Sequence, residues 1–132
     1  MKQWILAFGI LSAMAVTVLF LTWRHTREEI QLYNDDHLMR QEILRKIPQG
    51  SSIKQAQVIM EKNGFACSGI KNGSFAESTS EKGNYKYHKG INFLSCEKKK
   101  SGFLSNRRWQ IAIVDKNNRV SEVLVSVNTT TL

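Results

Sequence analysis

With two cysteines, three histidines and one proline in 132 residues, this chain is short of the side chains that usually carry chemistry. His25, His37, His88, Cys67 and Cys96 are scattered along it, without the close spacing of a zinc site. A thiol nucleophile needs a histidine beside it, and His88 is the only one in the strand-forming region. The carboxylates Glu97, Asp115 and Glu122 form no evident pair, and Asp115 reads as a turn residue. Gly64, Gly69 and Gly73 lack the strand-then-helix context of a phosphate loop. No internal repeat is visible. These absences weigh against an enzyme and assign no catalytic residue, metal ligand or cofactor. With no second thiol pair to exchange with, Cys67 and Cys96 read as a candidate disulfide and not a redox centre.

Acidic residues are also scarce. Nineteen Lys and Arg face 11 Asp and Glu, a formal net charge of +8. Such a balance favours anionic neighbours: phospholipid headgroups, nucleic acid or an acidic protein face. The densest basic stretch is "CEKKKSGFLSNRRW", in which Lys98, Lys99, Lys100, Arg107 and Arg108 form a candidate basic patch. It reads as a loop, and a solvated loop kept soluble by its charge is the rival explanation.

Charge is missing altogether from Gln3 to Trp23. Trp4 to Trp23 is a run of 20 residues broken only by Ser12, Thr17 and Thr22. As a helix it would span roughly 30 Å, the thickness of a bilayer's hydrocarbon core, with Trp4 and Trp23 placed as interfacial aromatics. The run predicts a transmembrane anchor over residues 1–23. A cleaved signal peptide is the alternative, since Ala13-Met14-Ala15 has a small-x-small pattern. Cleavage there would leave "VTVLFLTW" exposed, which argues for retention. The remaining residues suffice for one small domain: a stalk or helical linker at 24–36, then a domain at 37–132. Arg24 and Arg27 beside the anchor favour a cytoplasmic domain by the positive-inside rule. The cysteine pair favours an exported, oxidising compartment, where closing its loop would contribute on the order of 3 kcal/mol.

Periodicity orders the domain. Leu32, Met39, Ile43 and Ile47 form a helical stripe, with Asn34-Asp35-Asp36 placed to cap a helix near His37. "IPQGSSIKQAQVIMEKNGFAC" predicts a second helix. Ser52 and Gln55 fit a capping box, Ile53, Ala56 and Met60 share a face, and Asn63-Gly64 supplies the stop. Beyond Gly64 the period becomes two. "FACSGIKNGSFAEST" reads as two short strands around an Asn72-Gly73 hairpin, "SEKGNYKYHKG" as a mobile loop or irregular hairpin, and "INFLSCE" as a strand. "RWQIAIVDKNNRVSEVLVSV" is the clearest hairpin. The expected fold is α+β: an N-terminal transmembrane helix, then two short helices packed on a three- to four-stranded antiparallel sheet.

The "GSS" turn, the helix ending in "NGF" and the closing "WQIAIVDKNNRVSEVLV" resemble the BamE-like (SmpA/OmlA) domain family over roughly Met39 to Val127. The resemblance implies two helices on a three-stranded sheet in the bacterial envelope, with a binding or complex-supporting role and no catalysis. Its outer-membrane members carry a lipidated cysteine just after the signal, whereas the first cysteine here is Cys67. The sequence thus predicts a single-pass, non-catalytic protein-interaction module, held by residues 4–23. Its domain would stand outside the cytoplasm, on the periplasmic side of the inner membrane in a Gram-negative cell. The alternatives are a basic cytoplasmic-side domain binding anionic lipid or nucleic acid, and a secreted inhibitor-like domain. Tyr85, Tyr87, Phe93 and Phe103 lie among lysines like a stacking platform. Alternating aromatics in strands are more often core, and an anchor further disfavours nucleic acid. Contact with anionic lipid, by Arg24 and Arg27 or by the Lys98–Arg108 stretch, fits better.

Overall fold

The computed structural model describes residues 29–79 and 83–131. An irregular strap leads into helix α1 (Asp36–Lys46), followed by α2 (Ile53–Lys62). Four strands follow: β1 (Ala66–Ser78), β2 (Tyr85–Ser101), β3 (Ser105–Lys116) and β4 (Arg119–Thr131). They form one antiparallel meander in the order β1-β2-β3-β4. This corrects the expected fold class. Sheet dominates, and among the described residues no helix is long and apolar enough to cross a membrane. The expected transmembrane helix at 1–23 falls outside the described residues, as do residues 24–28 of the linker expected at 24–36. The strands are also longer than their apolar runs suggested, because Gly, Asn and Lys interrupt the alternation from Gly69 to Gly90 without ending the ladder.

Local chemistry sets the helix ends. Asp35 caps α1 by accepting from Leu38 N at 2.9 Å, and Met39 and Ile43 turn to the core with no exposed surface. Glu42 is buried on the same helix, and it is satisfied: Arg45 and the Gln31 N–H both donate to its carboxylate. Those bonds tie the strap to α1. Helix α2 begins where Ser52 Oγ accepts from Gln55 N. It ends in a Schellman arrangement, with Phe65 N bonding Met60 O and Gly64 N bonding Glu61 O. Gly64 sits at φ +82°, and Phe65 packs into the core behind it. The β3–β4 turn places Asn117 and Asn118 at positive φ, as a two-residue primed turn requires. Asn118 O then accepts from Ile53 N, so the turn satisfies a free donor at the start of α2.

The centre of the sheet is apolar on both faces. Four consecutive residues of β3, Ile111 to Val114, are buried, and Val123 to Val125 of β4 match them. Residues alternate across a strand, so such runs need two covers. On one face Met39, Ile43, Ile47, Ala56 and Met60 of the helical segment pack on Leu94, Cys96, Trp109, Ile111, Ile113, Val123 and Val125. On the other, Phe75 and Ile91 pack on Phe93, Ala112, Val114 and Leu124. The second cover is the outer half of the β1–β2 hairpin, which folds back until β1 meets β4 across two intervening strands.

That fold-back corrects the reading of Asn72-Gly73 as a hairpin turn. The dipeptide is a bulge inside one strand: Asn72 takes φ 48°, and the β1–β2 register slips between Ile70 and Phe75. A β-carbon on Gly73 would collide with an Ile70 methyl and crowd the Phe93 ring at 3.2 Å, so the kink favours glycine there. Tyr85 to Gly90, expected as a mobile loop or irregular hairpin, is the outer part of β2 and pairs with β1. The expected basic loop is likewise a hairpin, with Lys98, Lys99 and Lys100 on β2 directly opposite Trp109, Arg108 and Arg107 on β3.

Gly64→Ala should lower stability by about 1 kcal/mol or more, since a β-carbon is disfavoured at that φ and meets Lys98 Nζ at 3.3 Å. In thermal denaturation a loss of about 1 kcal/mol corresponds to roughly 4–8 °C for a domain of this size. An unchanged midpoint would show that Gly64 does not close the helix.

Candidate functional site

Because β1 approaches β4 without pairing to it, a groove of about 1060 Å³ remains along the seam, walled on its third side by α1. Each wall contributes charge. Arg40 of α1 donates to Glu77 Oε1 at 3.2 Å, and the other Glu77 oxygen lies 2.9 Å from His88 Nε2. Helix, β1 and β2 are therefore joined through one carboxylate. Along the seam Ser78 Oγ donates to Ser126 Oγ, and at the surface Tyr85 donates its hydroxyl to Asn128 Oδ1. Asp36 accepts from Val127 N at 3.1 Å, occupying one outward-facing donor of the β4 edge. Burial raises the pKa of that carboxyl, and the negative Asp35 and Glu77 nearby add to the rise against the Val127 bond.

The lower part of the β4 edge is closed by the interhelix loop. Gly50 N bonds Val120 O, Val120 N bonds Ser51 O, and Gln49 donates to Ser121 O. From Glu122 to Thr129 the edge lines the groove, and among the described residues no strand pairs with it on that side.

The sequence-predicted residues fall elsewhere. Cys67 and Cys96 lie directly opposite one another on β1 and β2, at disulfide distance, with α-carbons 4.2 Å apart. So short a spacing is that of the narrow, non-hydrogen-bonded pairs of an antiparallel ladder. His88 pairs with Phe75 at the other end of that ladder, so it is not beside either cysteine. Among the described residues no three His, Cys, Asp or Glu side chains are grouped to hold a metal.

The basic patch is brought together, on the hairpin that joins β2 to β3. Lys99 stands across from Arg108 and Lys100 across from Arg107. Glu97 lies among them and binds Arg108, whose Nη2 is 3.0 Å from Glu97 Oε2, and Lys99 at 3.4 Å. The Arg108 hydrogen bonds hold the Glu97 carboxyl below the ordinary carboxylate range, with burial opposing them. Lys98 turns inward and donates to Asn63 O at 2.7 Å, with its ammonium over the Phe65 ring. Lys98 is therefore a structural residue, which its place in a run of three lysines does not reveal.

No family model, curated protein or solved structure matches this chain. The Arg40–Glu77–His88 linkage, which sequence reasoning missed, joins residues separated by up to 48 positions, and only the fold-back of β1–β2 unites them.

The two shifted carboxyls give opposite pH behaviour. Asp36 has a raised folded pKa, so its cost is present above that value and is relieved as pH falls through it. Glu97 has a lowered one, so its contribution is present above the ordinary value and is lost as pH falls through the depressed one. Carboxyl carbon titration should find Asp36 titrating above the ordinary range and Glu97 below. Arg108→Gln should move Glu97 upward and leave Asp36 in place. Coincident midpoints for the two groups would contradict the geometry.

Proposed function

We propose that this chain is a membrane-attached, non-catalytic protein-interaction module, of the BamE-like kind and outside the cytoplasm, which takes its partner in the seam groove. The open groove supports this reading. It sets an unpaired strand edge beside both signs of charge, the arrangement by which a sheet recruits an extended segment of another protein through backbone pairing. His88 adds no nucleophile to the picture, since its partner is Glu77 and the neighbouring Ser78 donates to Ser126. The uncharged run of residues 4–23 supports membrane attachment. The cysteine pair supports an oxidising compartment, in which a bond between Cys67 and Cys96 would tie β1 to β2 at their root. The resemblance to BamE-like domains agrees with a binding role.

A photo-crosslinking residue at His37 or Lys86, on the groove's two lips, should give a discrete adduct in cells producing the full chain. The same residue at Lys54, on the exposed side of α2, should not. Adducts of the same mass from all three positions, or none from the groove, would reject the groove as the binding site.

A further inference from the structure

The β2–β3 hairpin is built against its own stability. Two like-charged pairs, Lys99 with Arg108 and Lys100 with Arg107, stand directly opposite in the ladder, which disfavours pairing. Glu97 offsets the first of them, and among the described residues no carboxylate pairs with Lys100 or Arg107. Beyond these charges the turn presents Phe103 and Leu104, which are 96% and 68% exposed. The Gly102 N–H bonds Ser105 O, which holds the tip in a tight turn with both side chains outward.

The start of the described chain lies at the root of this hairpin. Trp109, opposite Lys98, donates its indole N–H to Tyr33 O at 2.8 Å. Ile30 N donates to Asn63 Oδ1, and Lys98 holds the carbonyl of the same Asn63. Residues 30–33 thus run beside the point where the hairpin leaves the domain. Only the six residues Arg24 to Glu29 separate Ile30 from the end of the uncharged run at Trp23. Six residues reach at most about 20 Å. From Lys98 to Phe103 the hairpin extends five residues, roughly 17 Å at strand rise. A surface that holds Trp23 therefore lies within reach of the tip.

We infer that the β2–β3 hairpin docks on an anionic bilayer surface, the one to which the N-terminal run attaches. Phe103 and Leu104 enter the headgroup boundary, and Lys99, Lys100, Arg107 and Arg108 meet acidic phospholipid headgroups. An apolar tip below a basic collar suits that boundary, where aromatic and apolar groups sit inside the level of the charges. The inference rests on the membrane attachment proposed above. It gives the domain a second point of contact, which would fix its orientation on the bilayer.

The test uses the full chain carrying Phe103→Cys with a nitroxide label, reconstituted into vesicles of phosphatidylcholine alone or mixed with phosphatidylglycerol. In the anionic vesicles at low salt, the ratio of oxygen to chelated-nickel accessibility at the label should rise several-fold over that in phosphatidylcholine. High salt, or Lys100→Gln with Arg107→Gln, should return it to the solvent value, with the thermal midpoint confirming that the variant is folded. A label equally open to nickel in both vesicles overturns the proposal. So does a label immobilised but shielded from both reagents, which would indicate a protein contact. Alkaline carbonate extraction separates the two readings. A chain that resists extraction with a solvent-exposed label keeps its attachment and loses the docking hairpin. A chain that is extracted, yet was protected at position 103 beforehand, keeps the hairpin and loses the attachment.

Discussion

The central constraint on this fold is that β3 and β4 are apolar on both sides. Burying Ile111 to Val114 in succession leaves no face of the sheet free for water. Two short helices can cover only one face of a four-stranded sheet. The other has to be covered by the sheet itself, and the long β1–β2 hairpin bends back to do so. The bend explains the left-handed Asn72, the crowded Gly73 and the positive φ of Gly90 opposite them, none of which a flat sheet would need. Trp109 anchors the helical face. It is 2% exposed, it holds the strap through its indole N–H, and truncating such a residue to alanine costs about 3–5 kcal/mol.

The groove follows from the same constraint. A sheet of four strands can curl until its edges approach, but it cannot close into a barrel with a filled interior. The seam that remains is bridged by side chains where backbone pairing fails: Ser78 to Ser126, Tyr85 to Asn128, and Arg40 to Glu77 to His88. Asp36 accepts from one free donor of the edge, at the cost of a carboxylate in a partly desolvated place. An unpaired edge is ordinarily a liability for aggregation. Here α1 overhangs it, the interhelix loop occupies its lower end, and charges line its lips, so that access is restricted and not abolished.

The parts of the fold legible in the sequence were those fixed by local chemistry. The caps at Asp35 and Ser52, the stop at Gly64, the Asn117-Asn118 turn and the alternation around Trp109 and Val125 each depend on residues within a few positions. The cysteine pair was legible too, because two thiols in strand-forming stretches of one small domain have few other partners. What stayed hidden depends on distant residues. Asn72-Gly73 has the composition of a turn, and only the apolar underside of β3 and β4 makes it a bulge. Tyr85 to Gly90 looks like loop because one of its sides faces water and the other meets just Phe75 and its neighbours. Lys98 looks like its companions Lys99 and Lys100, yet the pleat turns it toward Asn63 and Phe65.

Stability and function can be weighed against each other at two places in the domain. Most of the domain is locally consistent, with capped helices, matched strand faces and buried Glu42 satisfied by its neighbours. The exceptions gather at two places. In the β2–β3 hairpin, like charges oppose each other beneath an exposed Phe103. Along β4, Asp36 and Glu77 share a partly closed seam with an edge that no strand among the described residues pairs. The hairpin tip is not required to cover the sheet, since neither core cluster includes a residue from Glu97 to Arg108. Features that weaken a fold and are not needed to complete it are best explained by contacts outside the chain. The hairpin leaves the domain beside the residues that lead to the N-terminal run, and the groove runs along the outer edge of β4 as far as Thr129, the ladder partner of Arg107. On the proposed function, the tip of the hairpin would face the bilayer and the β4 edge would hold the partner.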